Sequence, residues 1–145
     1  MSLRIASSLL LLCLSGAAFA GPASDAAKLH FKAIAAGDVE QLLRGYSEEA
    51  NLQWVGGPLD GVYTGSDKLR SVWSKFTQAQ GKLDHAVNNV QENANPKGTT
   101  VTANVEFQGK NTIKVRYVLT YRDGKIVNEI WQIDPNLGQA YAGGY

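Results

Sequence analysis

The chain has 145 residues, with 14 basic and 13 acidic side chains for a formal net charge of +1, and one cysteine. That length supplies a single core of ordinary size. Balanced charge without a basic run argues against nucleic acid as a partner. One cysteine excludes an internal disulfide and any multi-thiolate metal site.

The first element is not a fold element. "MSLR" is a short basic start, "IASSLLLLCLSG" is an apolar run too short to span a bilayer comfortably, and "AFA" places small residues at Ala18 and Ala20. This pattern predicts a secretory signal peptide over residues 1–20, cleaved after Ala20. Cys13 follows Leu12, where a lipoprotein signal would have Gly or Ala, so it reads as filler. The remaining chain is expected in the periplasm or secreted, without cysteine, with as many acidic as basic residues, and off the membrane once processed.

Three helices come next. Over residues 24–36, Asp25, Lys28 and Lys32 fall within about 60° of one another on a helical wheel, and His30 lies almost opposite them. Ala26, Ala27, Ala33 and Ile34 flank His30, so an ionisable ring sits in the middle of an apolar face. Gly37 stops this helix. The second begins at Asp38 as N-cap with Gln41 at the third helical position, and Val39, Leu42, Leu43 and Tyr46 form its apolar stripe. The third, "GSDKLRSVWSKFTQAQGK", is read as capped by Ser66 and ended by Gly81. Leu69, Val72, Trp73 and Phe76 are its stripe.

Strands surround and follow these helices. "NLQWV" is a short strand, "GGPLDG" is turn chemistry, and "VYTG" is a further extended piece. From residue 83 the pattern is entirely β. "LDHAVNNVQEN" leads to a turn at residues 95–98. "TTVTANVEFQ" then puts Val101, Ala103, Val105 and Phe107 on one face. In "TIKVRYVLTY", Ile113, Val115, Tyr117, Leu119 and Tyr121 share a face, with Lys114 and Arg116 on the outer one. The Asp-Gly of "RDGK" predicts a tight hairpin, and "IVNEIWQID" closes the sheet before Pro135. Residues 136–145 read as a Gly- and Tyr-containing flexible tail. Segregated helices and a strand meander give an α+β fold.

"FKAIAAGDVEQLLRGYSEEANLQW", "GVYTGSDKLRSVW" and "YRDGKIVNEIWQID" resemble, in order and spacing, three landmarks of the nuclear transport factor 2-like superfamily, in particular its SnoaL-like members. The resemblance covers residues 25–135, within a domain expected over 21–135. It implies a cone-shaped barrel, with three N-terminal helices packed on a strongly bent antiparallel sheet that encloses a pocket, and a homodimer through the outer sheet face. Fold does not give function, since the superfamily spans isomerases, hydrolases, cyclases and non-enzymatic proteins. Ketosteroid isomerase uses an Asp base, with a Tyr and a protonated Asp holding the oxyanion. By that resemblance His30 stands at the oxyanion tyrosine's position, and the base position falls on Trp54, which cannot abstract a proton. Steroid isomerisation of that type is therefore not expected. The closing strand offers Glu129 instead, with Asp134 at its end.

His30 can donate from one ring nitrogen and accept at the other. It is the first candidate for acid–base work, against the alternative of a core histidine held by a carbonyl. Glu129 shares strand parity with Val127, Trp131 and Ile133, and parity alone leaves open which face looks inward. If it looks inward, burial disfavours the charged carboxylate. Trp54 and Trp131 offer flat apolar walls with one donor each. His30, Phe76 and Tyr117 complete the candidate ligand-binding set, although Trp73 and Phe76 have the spacing of core. His85 reads as exposed. With two histidines far apart in sequence and no carboxylate pair at ligand spacing, no metal or cofactor is expected. Three readings stay open. The first is an exported domain that binds a small apolar or aromatic molecule. The second is a cofactor-independent lyase, isomerase or cyclase using His30 and Glu129. The third is an interaction module working through the sheet face. The first two differ in whether His30 has a second ionisable partner within about 3 Å of a possible ligand atom.

Overall fold

Proline starts the first helix and glycine ends it in the computed structural model, which describes residues 21–138. The signal-peptide expectation and the tail from residue 139 onward lie outside the described residues. Helix α1 runs Pro22–Ala36, and Gly37 closes it in the left-handed conformation (φ 72°), its N–H reaching the carbonyls of Ala33 and Ile34. A side chain at residue 37 would be strained there, and its Cβ would stand 2.6 Å from Thr77 Cγ2. Gly37→Ala is therefore expected to cost roughly 1–2 kcal/mol. An unchanged denaturation midpoint would contradict this.

Helix α2, Val39–Gly45, starts as the sequence predicts, with the Gln41 N–H donating to Asp38 Oδ1 at 3.1 Å. It ends one residue before Tyr46. That residue opens strand β1 (Tyr46–Val55) instead of closing the helical stripe. Gly45 breaks the helix, and an aromatic residue fits the pleated surface that follows. After strand β2 (Gly61–Thr64), helix α3 spans Ser66–Gln80. Here Gly65 is the N-cap (φ 87°), Ser66 is already helical, and no side chain caps the end, contrary to the expectation for Ser66.

Strands β3 (Asp84–Asn95), β4 (Gly98–Gln108), β5 (Thr112–Arg122) and β6 (Lys125–Ile133) follow. The Asp123-Gly124 hairpin has positive φ at both residues (51° and 74°), the geometry that this dipeptide favours. The six strands are ordered β2-β1-β6-β5-β4-β3 in one curved, open sheet. It is mixed, because β1 lies parallel to β6 while all other pairs are antiparallel. The expected wholly antiparallel sheet is corrected on this point.

Register shifts bend the sheet. Tyr121 pairs with Ile126 and Thr120 with Asn128, so Val127 is an extra residue in β6. A second shift, between Asn88 and Gln91 of β3, holds Asn89 at φ 54°. The three helices cover the concave face. Phe31, Leu52, Leu69, Trp73, Phe107 and Trp131 are buried between the layers.

Candidate functional site

Helix α1 places His30 as the wheel requires, facing the sheet and only 6% exposed. Opposite it stands Glu129, wholly buried. The bulge at Val127 decides this. Ile126 and Glu129 both point inward although they are three residues apart, which strict alternation forbids. Val127, the expected face-mate of Glu129, is only partly buried. His30 Nε2 and Glu129 Oε2 are 2.7 Å apart, a hydrogen-bonded pair in a dry environment.

The other carboxylate oxygen is also engaged. The Tyr46 hydroxyl donates to Glu129 Oε1, and Trp73 Nε1 donates in turn to the Tyr46 oxygen at 2.8 Å. Four side chains from α1, β1, α3 and β6 thus form one chain of hydrogen bonds: Trp73, Tyr46, Glu129, His30. Sequence reasoning named the two ends of the His30–Glu129 contact and missed Tyr46 and the donor role of Trp73. Both fall on apolar stripes by spacing, and helical spacing carries no information about a hydroxyl or an indole N–H.

Three tyrosines surround the carboxylate. Glu129 pairs with Leu119 across β5, and Tyr117 and Tyr121 flank Leu119 on the same face, diagonal to Glu129. Burial first, and then the Glu129 charge, raises the pKa of Tyr46, Tyr117 and Tyr121 above the ordinary phenol value. These hydroxyls therefore stay protonated donors. Tyr117 is close enough to feel the carboxylate, yet its hydroxyl has no hydrogen bond of acceptable geometry. The Tyr121 hydroxyl and Trp131 Nε1 are also buried without an acceptor. Each such donor ordinarily costs about 1–3 kcal/mol.

The aromatic candidates come together, but against one another. Trp54 and Trp131 stack at 4.3 Å between centroids, Phe107 lies on Trp131 at 5.5 Å, and Phe76 meets Trp131 at 5.3 Å. Tyr117 meets Trp131 edge-on at 5.6 Å. These rings pack on one another on the concave side of the sheet. A surface cleft of about 430 Å³ lies to one side, lined by Pro22, Ala23, Ala26, Glu92, Tyr121 and Asp123 among others. Ala26 is one helical turn before His30, and Tyr121 stands between this cleft and the Glu129 charge.

The remaining candidates lie elsewhere. His85 is half-buried with its ring stacked near Phe107 (6.4 Å, 23°), not exposed as expected. Asp134 follows β6, where its carboxylate accepts from the Asn136 N–H at 3.0 Å. Lys114 and Arg116 occupy the outer parity of β5. Among the described residues, no group of three or more His, Cys, Asp or Glu side chains could hold a metal ion.

No curated protein matches the chain by sequence. Solved structures show the same fold at low identity. A de novo designed protein with a curved β-sheet has a TM-score of 0.63 at 19% identity, over 81% of this chain and 88% of its own. A ketosteroid isomerase-like protein from Erwinia carotovora atroseptica gives 0.61 at 14%, over 75% and 91%. SalBIII, an epoxide hydrolase/cyclase-like enzyme with a role in pyran ring formation in salinomycin, gives 0.57 at 16%, over 77% and 90%. The sequence model of the SnoaL-like domain matches residues 27–129, from the middle of α1 to the site carboxylate, and the chain belongs to that family.

Proposed function

We propose that this is an exported protein that takes a small apolar or aromatic molecule bearing an acceptor oxygen into its cone, with His30 and Glu129 as the proton-handling pair. The supporting observation is the buried 2.7 Å contact of His30 with Glu129, ringed by donors that lack acceptors. A ligand oxygen near Tyr117, Tyr121 and Trp131 would satisfy those donors. Glu129 holds His30 Nε2, so Nδ1 is the ring nitrogen through which a proton would pass to or from the ligand. Tyr46 and Trp73 fix the carboxylate and so act as positioning residues. Such a site suits a cofactor-independent lyase, isomerase or cyclase, in which one carbon-bound proton moves while donors stabilise the oxygen. Entry requires Tyr121, which is 5% exposed, to swing aside from the cleft.

An interaction module has less support. Its signature is a large apolar outer sheet face, and the outer parity of β4 and β5 carries Thr102, Asn104, Glu106, Lys114 and Arg116.

The three tryptophans of the chain, Trp54, Trp73 and Trp131, all lie in the core that surrounds the pair, so their emission reports occupancy. Aromatic ketones are expected to quench this emission at about ten-fold lower concentration than hydrocarbons of matching shape, the difference of one good hydrogen bond. His30→Phe should leave ketone binding within about three-fold while abolishing deuterium exchange at the ketone α-carbon. Equal affinity for ketone and hydrocarbon, or α-exchange that survives His30→Phe, would refute the reading.

A further inference from the structure

We propose that cleavage after Ala20 creates an ion pair between the new α-ammonium group of Gly21 and the carboxylate of Glu92, fastening the start of α1 to β3 at the rim of the cleft. This rests on the export reading above. Gly21 is the N-cap of α1 and offers no side chain to its first turn. Glu92 supplies the cap from across the structure, with Oε1 accepting from the Ser24 N–H at 2.6 Å. The second oxygen faces residue 21. A Cβ added to Gly21 would fall 1.5 Å from Glu92 Oε2. A Cβ lies about 2.5 Å from the nitrogen of its own residue, so the Gly21 nitrogen stands within about 4 Å of Oε2.

In the uncleaved chain that nitrogen is a neutral amide. After cleavage it carries a full positive charge at ion-pairing distance from a carboxylate that already caps the helix. The pairing depends on glycine, since any side chain at residue 21 displaces the carboxylate. Glu92, Pro22 and Ala23 all line the cleft beside Tyr121, so the pair forms part of its rim. Processing would therefore finish the mouth of the cone as well as release the protein.

The charged and titratable groups around this point are Asp25 on α1, Glu92 on β3, Lys97 in the β3–β4 turn, Tyr121 on β5 and Asp123 in the β5–β6 turn. An α-amino group ordinarily ionises near about 7.7–8. A transition between pH 7 and 9 thus reports the α-amino group. Pairing raises its folded pKa above the unfolded value. The stabilisation is then complete below about pH 7.7 and is lost as the pH rises through the folded pKa.

The test uses exported protein, with its mass fixing the cleavage site, and follows Gly21 by NMR from pH 6 to 10. The Gly21 amine is expected to titrate at least half a unit above the ordinary range, and to return to it in Glu92→Gln. The amide oxygen of the substituted side chain can still accept from the Ser24 N–H, so lost capping does not imitate the effect. The gap in thermal midpoint between the two proteins should narrow as pH rises from 7 to 10. Equal titration of Gly21 in both proteins, or a gap independent of pH, overturns the pair. A mature N-terminus other than Gly21 overturns cleavage after Ala20, and this inference with it, while leaving export standing. The same titration on a chain freed at Gly21 by tag removal judges the pair independently of export.

Discussion

Glu129→Ala is expected to destabilise the protein by about 2–6 kcal/mol, because it leaves two buried groups without their acceptor at about 1–3 kcal/mol each. The variant strips the acceptor from both His30 Nε2 and the Tyr46 hydroxyl in one step, inside a core that water does not reach. His30→Phe should cost less. It keeps the ring shape among Phe31, Tyr46, Trp73 and Tyr117, and Tyr46 continues to hold the other carboxylate oxygen. The double variant His30→Phe/Glu129→Leu removes both ends of the contact and should recover part of the loss, because an apolar pair of similar volume replaces a desolvated one. Urea denaturation of the three variants gives the comparison directly. If Glu129→Ala falls within 1 kcal/mol of the parent, the carboxylate is not the acceptor hub described here.

Trp131→Ala should have a comparable effect for a different reason. Trp131 is fully buried and touches Trp54, Trp73, Phe76, Phe107 and Tyr117, so its removal leaves a ring-shaped cavity. A loss of about 3–5 kcal/mol is expected, because the neighbouring rings relax only partly into the space. Indole at millimolar concentration should raise the thermal midpoint of this variant more than that of the parent, because the deletion leaves an apolar hole of that shape. A Trp131→Ala protein that shows neither a lowered midpoint nor an indole response would mean that the stack can close over the gap. Together the two variants separate what hydrogen bonding and what ring packing contribute to one interior.

A stack of rings and a proton-sharing pair make different demands on the fold. The rings need density, whereas the pair needs acceptors and donors to match. Tyr117, Tyr121 and Trp131 satisfy the first demand and leave the second unmet. That mismatch separates this interior from a plain hydrophobic core.

The sequence by itself determined much of what a single segment governs, the N-cap of α3 and the end of α2 excepted. Gly37 and Gly81 end their helices, Asp38 caps α2, and Asp123-Gly124 turns the last hairpin. The wheel of α1 put His30 inward, because helical periodicity depends only on the helix's own spacing. Val101, Ala103, Val105 and Phe107 alternate inward as read. What involved two segments was not legible. The parallel pairing of β1 with β6 depends on where the chain returns, and the one-residue bulge at Val127 depends on the register against β5. That bulge, not the alternation in "IVNEIWQID", brings Glu129 to His30. Tyr46 left its helix because Gly45 broke it and β6 offered Ile126 as a partner. Periodicity fixes which way a side chain points within its own element, and only the register between elements decides which other side chain it meets.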